Sequence, residues 1–461
     1  MPWLADDSDT IAAISTPRGV GGIGVVRVSG PTALSCVQAM FRPSRRPDYL
    51  PTRTHAITHG HVISPSSGHV IDEVLVSYYR EPRTYTGEQM LEVSVHGGPV
   101  VLAEVLAVAC ECGARVAEPG EFTRRAFLNG RMDLAQAEAV ADVIHAKTRH
   151  GRRAATAQLD GALSRTLGRL RDDLLSVLAE VEAHVDFPDD ELDFEPSTAV
   201  ATRIDRIAAG VAELAAAGAR GTFVRDGIDV VIVGKPNVGK SSLLNAMLRD
   251  DRAIVTSTPG TTRDVVEGHV DMRGIPVRLA DTAGIRDVHD DVEREGVERS
   301  RRRAASADVV VGVLDLSRPV GEDDREILAL LAGRTSVAVA NKADLSPLWR
   351  PKDVLGGHAI EVSAMSREGL PKLIDAIADA AAGPDSDDAE PPAVTNARHV
   401  EALRHAVGSL AHASRTAWED MPPELIAVDL RGALNALGLI LGETVTDDIL
   451  DRIFSQFCIG K

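Results

Sequence analysis

Apolar and polar positions along the chain change period several times, and those changes divide it. Over the first 129 residues short apolar runs alternate with turn residues. Thr10 to Ser15, Gly24 to Val28, Ala56 to Val62, Glu73 to Tyr78 and Met90 to Val95 read as strands. Pro99 to Cys112 reads as a helix with proline in its first turn. From Asp133 to His184 the apolar residues recur at helical spacing. Leu134, Ala137, Val140, Ala141 and Ile144 form one stripe, and Leu174, Leu175, Leu178 and Val181 form another. Thr198 to Ala219 is an alanine-rich helix. Ile228 to Val233 is then an apolar run read as a buried strand, followed by a helix over Ser242 to Leu248, with further strands at Val277 to Ala280 and Val337 to Ala340. Helical spacing resumes at Thr395 to Trp418, Pro423 to Leu441 and Thr446 to Phe457. The predicted fold is an α/β and all-α multidomain chain. Residues 1–129 are an α+β domain, 130–220 and 383–461 are two parts of a discontinuous helical bundle, and 221–382 are an inserted Ras-like α/β module.

Two glycine-rich stretches fall in this pattern. Gly19-Val20-Gly21-Gly22-Ile23-Gly24 matches the dinucleotide fingerprint in form, but it leads into a strand where that motif must open a helix, so it reads as a hairpin. Gly234-Lys235-Pro236-Asn237-Val238-Gly239-Lys240-Ser241-Ser242 lies between a strand and a helix, the context of a phosphate loop. Glycines let the backbone wrap a phosphate, and N–H groups with the positive helix end hold the anion. Lys240 is predicted to reach the outer phosphates and Ser241 to ligate Mg2+.

The base and the switches are read downstream. Asp281-Thr282-Ala283-Gly284 closes a strand, where an Asp can hold magnesium through water and a glycine N–H can sense the terminal phosphate. Asn341-Lys342-Ala343-Asp344 offers a carboxylate to guanine N1 and N2, which adenine cannot match. Ser363-Ala364-Met365 can offer guanine O6 a backbone N–H. Their order after the phosphate loop predicts a GTPase. Ile285 stands where Ras-type enzymes place a water-orienting Gln, so another polar group must serve, and the acidic stretch Asp287 to Glu295 is nearest. Asn237, with the first-switch loop Thr256-Ser257-Thr258-Pro259-Gly260-Thr261-Thr262-Arg263-Asp264, can coordinate a monovalent cation that replaces an arginine finger.

These motifs, with Leu134-Ala135-Gln136-Ala137-Glu138-Ala139 and the terminal Phe457-Cys458-Ile459-Gly460-Lys461, resemble the MnmE (TrmE) family of tRNA-modification GTPases over essentially the whole chain. The GTPase motifs alone also fit ribosome-assembly or regulatory GTPase switches, which remain the alternative reading. The resemblance implies an N-terminal domain like tetrahydrofolate-binding domains, holding 5-formyltetrahydrofolate through Arg27, Glu88, Arg131 and Lys461. It implies a homodimer through that domain, and K+-dependent pairing of GTPase modules with Asn237, Thr256, Thr258 and Thr261 on K+. Ser241 and Thr262 would hold Mg2+, and Glu293 would be the catalytic group that orients water. It further implies an FAD-containing partner, MnmG, in a heterotetramer or larger complex. The product would be an aminomethyl or carboxymethylaminomethyl group at the five-position of wobble uridine in certain tRNAs.

Composition narrows the setting. The net charge is −18 over 461 residues, which argues against broad nonspecific nucleic-acid binding while allowing a local basic face. No signal peptide and no bilayer-length apolar run is read, and the four cysteines form no disulfide or zinc pattern, as expected of a cytoplasmic protein without a membrane partner. Cys110-Glu111-Cys112 reads as packing, and the acidic stretch at 186–194 as a turn between helices. Cys458 has the outward form of a prenylation box, but lysine is a poor final residue for one.

Overall fold

The computed structural model describes residues 9–45, 53–187, 196–248, 253–254, 269–281, 305–355, 359–383 and 392–461. The chain forms two compact units, one of residues 1–141 with 438–461 and one of residues 142–437.

The first unit is built on a seven-stranded sheet. Its strands are β1 (Ile11–Ile14), β2 (Ile23–Ser29), β3 (Phe41–Pro43), β4 (Ala56–Ile63), β5 (Val70–Tyr79), β6 (Met90–His96) and β7 (Arg115–Val116), in the order β3-β4-β5-β6-β2-β1-β7. All neighbours are antiparallel except β1 and β7. Ile14 pairs with Val26 across the glycine stretch, so that stretch is a hairpin and not a dinucleotide turn. One sheet face, carrying Val26, Val28, Val76 and Val93, packs on α1 (Ala33–Met40) and α2 (Pro99–Glu111) through Val37, Met40, Val105 and Ala109. Burial pushes the Cys36 thiol up to about 12 and the Cys110 and Cys112 thiols in the same direction, which suits packing groups rather than ligands. The helix α1 and the strands β3 and β7 are additions to the elements read from sequence. They are short, and they form against partners distant in the chain.

The other face meets α3 (Glu121–Leu128), where Ile11, Ala13, Ala117 and Phe122 pack together. Arg125 of α3 is 1% exposed. Its Nη2 donates to Asp9 Oδ1 at 2.5 Å and Glu121 Oε1 at 2.9 Å, and its Nη1 donates to the Asp9 carbonyl at 2.7 Å. Arg115 also bridges Asp9 and Glu121. Burial alone would push both carboxyls up. Hydrogen bonds and charge from Arg115 and Arg125 outweigh it and hold both below their ordinary values of 3.8 and 4.5. A depressed carboxyl stabilises the fold above its ordinary value, and that contribution is lost as pH falls through the folded value. The melting temperature is therefore expected to fall steeply below about pH 4. A thermal scan that stays flat from about pH 6 to about pH 3 would contradict this.

The second unit holds α5 (Arg149–Leu159), α6 (Ala162–Asp186), α7 (Ser197–Asp226) and α12 (Ala397–Trp418) beside an α/β sheet; α4 (Leu134–His145) lies before it in the chain. Of the apolar stripes read from sequence, Leu134, Ala137, Leu174 and Val181 are buried, but Ile144 and Leu175 are 46% and 39% exposed. Helix α7 runs on past Ala219 to Asp226. It is long and apolar enough, by length and composition, to cross a bilayer. Its hydropathy comes from dispersed alanines, which no search for one apolar run would register. It packs along α12, where a Cβ at Gly218 would meet Val394 and Val400 at 2.8 Å.

The sheet of this unit runs β14-β13-β12-β8-β11-β10-β9. These are β8 (Ile228–Val233), β9 (Ala253–Ile254), β10 (His269–Met272), β11 (Ile275–Asp281), β12 (Val309–Asp315), β13 (Ser336–Asn341) and β14 (Ala359–Val362). The strands from β14 to β11 are parallel, and β10 and β9 add antiparallel pairings. Helices α8 (Lys240–Leu248), α9 (Glu322–Leu331), α10 (Pro351–Leu355) and α11 (Leu370–Ala382) complete it. Val230, Ile232, Val311 and Val339 join Leu243, Leu373 and Ile377 in its core. Helices α13 (Pro423–Leu441) and α14 (Asp447–Phe454) close the chain. A parallel sheet covered on both faces places its binding loops at the carboxyl ends of the strands.

Candidate functional site

The loop after β8 turns sharply. Asn237 takes φ 64° and Gly239 φ 96°. A Cβ at Gly234 would lie 2.5 Å from the Val313 carbonyl, and one at Gly239 would fall on the Asn341 amide nitrogen. Close approach therefore requires glycine at both positions, and at Gly239 the backbone angle requires it as well. Helix α8 starts at once, with Leu243 N bonded to the Gly239 carbonyl at 2.9 Å. Its N-terminal N–H groups and positive end face the loop. Lys240 Nζ donates to the Gly234 and Lys235 carbonyls at 2.8 and 2.7 Å, which holds the ammonium against the loop. Ser241 and Ser242 are exposed at the helix start, and Val238 is buried beneath. Lys235, a loop residue the sequence reading left without a role, pairs with Asp324 at 2.6 Å. Asp324 in turn accepts from Gly321 N at the start of α9.

The two segments expected from sequence to read the base lie at the ends of β13 and β14. Asn341 is 1% exposed and spans both loops. Its Nδ2 donates to the Val238 carbonyl at 2.8 Å, and its Oδ1 accepts from Ala364 N at 3.2 Å. One buried amide thus ties the phosphate loop to the Ser363-Ala364-Met365 turn. Ala343 N bonds to the Val362 carbonyl, and Ser363 Oγ donates to Asp344 Oδ1 at 2.6 Å, fixing an exposed carboxylate. Met365 is exposed beside it.

Asp315 was missed by sequence reasoning. It ends β12, is 7% exposed, and lies opposite Asn341 in the ladder. Its carboxylate accepts from Lys342 Nζ at 2.6 Å and from Ser317 N and Oγ at 2.9 and 2.6 Å. Burial pushes this carboxyl up, but Lys342 and Ser317 more than offset that and hold it below the ordinary range. The trace in the sequence is an aspartate closing an otherwise wholly apolar strand. Asp315 thereby sets the side chain of Lys342, whose backbone is held at φ 67°. Asp315→Asn is expected to weaken GDP and GTP binding by roughly tenfold, the worth of one charge-assisted hydrogen bond. Hydrolysis at saturation should be unchanged. Titration with a fluorescent guanine nucleotide checks this, and an unaltered affinity would contradict it.

Thr256, Ser257, Thr258, Pro259, Gly260, Thr261 and Thr262 lie outside the described residues, as do Thr282, Ala283, Gly284, Ile285 and Glu293. Asp281 closes β11, but its side chain is outside the description. The residues expected to form the two switches and to orient the water therefore lie outside the description. Among the described residues no cluster of three or more His, Cys, Asp or Glu could hold a metal.

A second site lies in the first unit. The Arg27 and Arg131 guanidinium carbons and Lys461 Nζ stand 5.2, 5.3 and 6.0 Å from the centre of the Tyr85 ring. Arg27 donates Nε and Nη2 to Glu92 Oε1 at 3.0 and 2.8 Å, and Nη1 to the Gly460 carbonyl at 3.3 Å. Burial and the nearby Arg27 charge lower the Lys461 ammonium. Three cations around one half-buried ring, facing a single carboxylate, favour an anion carried by an aromatic body. The terminal segment reaches this place because Ser15 Oγ donates to the Gly460 carbonyl and Ile459 pairs with Pro119. Glu88 takes part in the neighbouring buried network. It accepts from Ser29 Oγ at 2.8 Å and from the buried Arg125 at 3.3 Å. Three of the four residues read from sequence thus converge, and the fourth belongs to the adjoining network. Tyr85 and Glu92 were missed. Glu92 faces Arg27 across the β2–β6 ladder, which is legible only once the register is known.

The chain matches a family model described as the MnmE helical domain over residues 134–458. A second, described as the GTP-binding protein TrmE N-terminus, matches residues 10–131. Among curated proteins it is 44% identical to the tRNA modification GTPase MnmE of Natranaerobius thermophilus, covering 98% of this chain and 99% of that one. It is 46% identical to the protein of the same name from Heliobacterium modesticaldum, with the same coverage. Among solved structures, Era of Aquifex aeolicus bound to GDP and AlF4- is 26% identical, covering 40% of this chain and 66% of that chain, with a TM-score of 0.27.

Proposed function

Because the chain belongs to the MnmE family of tRNA modification GTPases, we propose that GTP hydrolysis in its phosphate loop drives a cycle that modifies the wobble uridine of certain tRNAs. The protein is a GTP hydrolase, taking GTP and water to GDP and phosphate, with N-terminal, helical and P-loop GTPase domains. The observation that carries the reading is the double tie of Asn341, which sets the phosphate loop and the base-reading turn at one fixed separation.

In this reading the loop N–H groups and Lys240 bind the phosphates, and Asp344 accepts from guanine N1 and N2. Ser241 and Thr262 hold Mg2+, which neutralises charge on the phosphate oxygens. Asn237, with Thr256, Thr258 and Thr261, holds K+, whose charge stands in for an arginine finger. Glu293 orients the attacking water, the role that Ile285 cannot fill. Residues 1–129, 130–220 with 383–461, and 221–382 are the folate-binding and dimerising, helical and GTPase domains.

Tyr85 with Arg27, Arg131 and Lys461 suits a tetrahydrofolate, whose ring can lie on the tyrosine and whose glutamate tail needs cations. Bound there, 5-formyltetrahydrofolate would supply the one-carbon unit. Arg27 would orient the ligand, with Glu92 holding its guanidinium. The remaining chemistry falls to the FAD-containing MnmG, with this protein acting as a homodimer in the cytoplasm.

The test is GTP hydrolysis in potassium against sodium at equal ionic strength, with Glu293→Ala alongside. Strong potassium stimulation, lost in the variant while GTP still binds, is expected. Equal rates in both salts would overturn the potassium assignment.

A further inference from the structure

The second unit carries a charge anomaly. Between Lys147 and Arg171 there are seven Lys and Arg against the single Asp160, in a chain whose net charge is −18. Arg149, Arg152 and Arg153 are exposed on α5, and Arg165 and Arg169 on α6. Some surface arginines elsewhere in this unit are matched, as in Arg203 with Glu180, Arg278 with Asp229 and Arg431 with Glu182, and the unmatched ones, such as Arg206, Arg325 and Arg404, are scattered in sequence and not gathered in one basic run. None of the five has a carboxylate partner among the described residues. Arg165 donates to the Asp160 carbonyl at 2.7 Å and Arg169 to the Arg165 carbonyl at 3.3 Å, so both keep their charge uncompensated. Asp172 and Asp173 begin only after this stretch.

The placement on α5 is also locally unfavourable. Thr148 caps the helix by accepting from Gly151 N, and three arginines follow within the first five positions. Cations near the positive end of a helix oppose its dipole. Among the described residues no carboxylate offsets this, and a local rule broken without a packing gain is what a functional surface is expected to show. The inner side of α5 is occupied by Ala154, Ala155 and Gln158, so the arginines stand on the outer side. From Lys147 to Arg171 there is no Phe, Tyr or Trp. A face with guanidiniums and no stacking ring suits phosphates rather than unstacked bases. Arg165 and Arg169 are one turn apart, a rise of about 6 Å, comparable to the separation of successive phosphates along an RNA strand.

We propose that the outer face of α5 and the start of α6 is where tRNA docks, through the phosphate backbone of a stem and without reading sequence. This rests on the tRNA-modifying reading above and names the surface that serves it. The overall negative charge then has a use, since it repels RNA from the remaining surface and leaves this face as the attractive one.

The experiment titrates labelled tRNA with the full-length protein over a salt series. It compares the native chain with Arg149→Ala/Arg152→Ala/Arg153→Ala and, as an independent variant, Arg165→Ala/Arg169→Ala. Affinity is expected to fall on the order of tenfold in the triple variant, and the slope of log affinity against log salt to shrink by about 0.7–0.9 per phosphate contact removed. Melting temperature and GTP hydrolysis without tRNA should be unchanged in both. Unchanged affinity and slope in both variants, with the native chain binding tRNA, would overturn the docking face and point instead to an acidic protein partner. The tRNA reading would still stand. A native chain that binds no tRNA also overturns the docking face, whereas the tRNA reading is decided separately by wobble-uridine composition in cells.

Discussion

Asp344→Asn is expected to lower GTP affinity by roughly 1,000-fold while raising affinity for xanthosine triphosphate. A carboxylate accepts from both guanine N1–H and N2–H, and Ser363 fixes its orientation through a 2.6 Å hydrogen bond. An asparagine turns one of those acceptors into a donor, which then meets a donor on guanine. A site built to satisfy polar groups loses most when one is left unpaired, typically about 10⁴-fold for the strictest cases. Xanthine carries a carbonyl where guanine has its amino group, so the same amide can donate to it. Competition binding with GTP, ATP and xanthosine triphosphate reads the change directly. A variant that keeps native GTP affinity would show that Asp344 does not read the base.

Gly239→Ala is expected to weaken GTP and GDP together by at least about 100-fold, with the fold intact. The residue sits at φ 96°, where an L side chain is strained by about 1–3 kcal/mol. Its new methyl would fall on the Asn341 amide nitrogen, which now holds the Val238 carbonyl at 2.8 Å. Breaking that buried bond costs a further 1–3 kcal/mol or so. It also frees the turn at Ala364, so phosphate and base contacts are lost from one substitution. Calorimetric titration with GDP measures the loss, and an affinity within about threefold of native would contradict it.

How much of this could be read from the chain follows from which interactions are local. The hairpin after Ile14, the strand before Gly234 and the helix after Gly239 depend on period and on glycine over a few residues. The phosphate loop, the Asn341-Lys342-Ala343-Asp344 segment and the family were legible for the same reason. Asp315, Glu92, Tyr85 and the Lys235–Asp324 pair were not, since each acquires its role from a partner brought by the sheet register or by a distant helix. Glu88 shows the converse. It sits in a recognisable Thr86-Gly87-Glu88 run, but its pairing with the buried Arg125 becomes visible only once the fold brings α3 beside it. Ile144 and Leu175 fit their helical stripes and are nonetheless exposed, because a stripe's period does not say how wide a face the neighbours cover.

In the proposed function, GTP turnover at the Gly234–Ser241 loop drives wobble-uridine modification. Its most direct test is mass spectrometry of tRNA nucleosides from cells lacking this chain, complemented with the native sequence or with Lys240→Ala. Removing Lys240 takes away the cation held over the phosphate loop while leaving the Tyr85 site untouched. The five-substituted uridine is expected to disappear without the chain, to return with the native sequence and to stay absent with Lys240→Ala. Full modification in cells lacking the chain, or full rescue by Lys240→Ala, would contradict it.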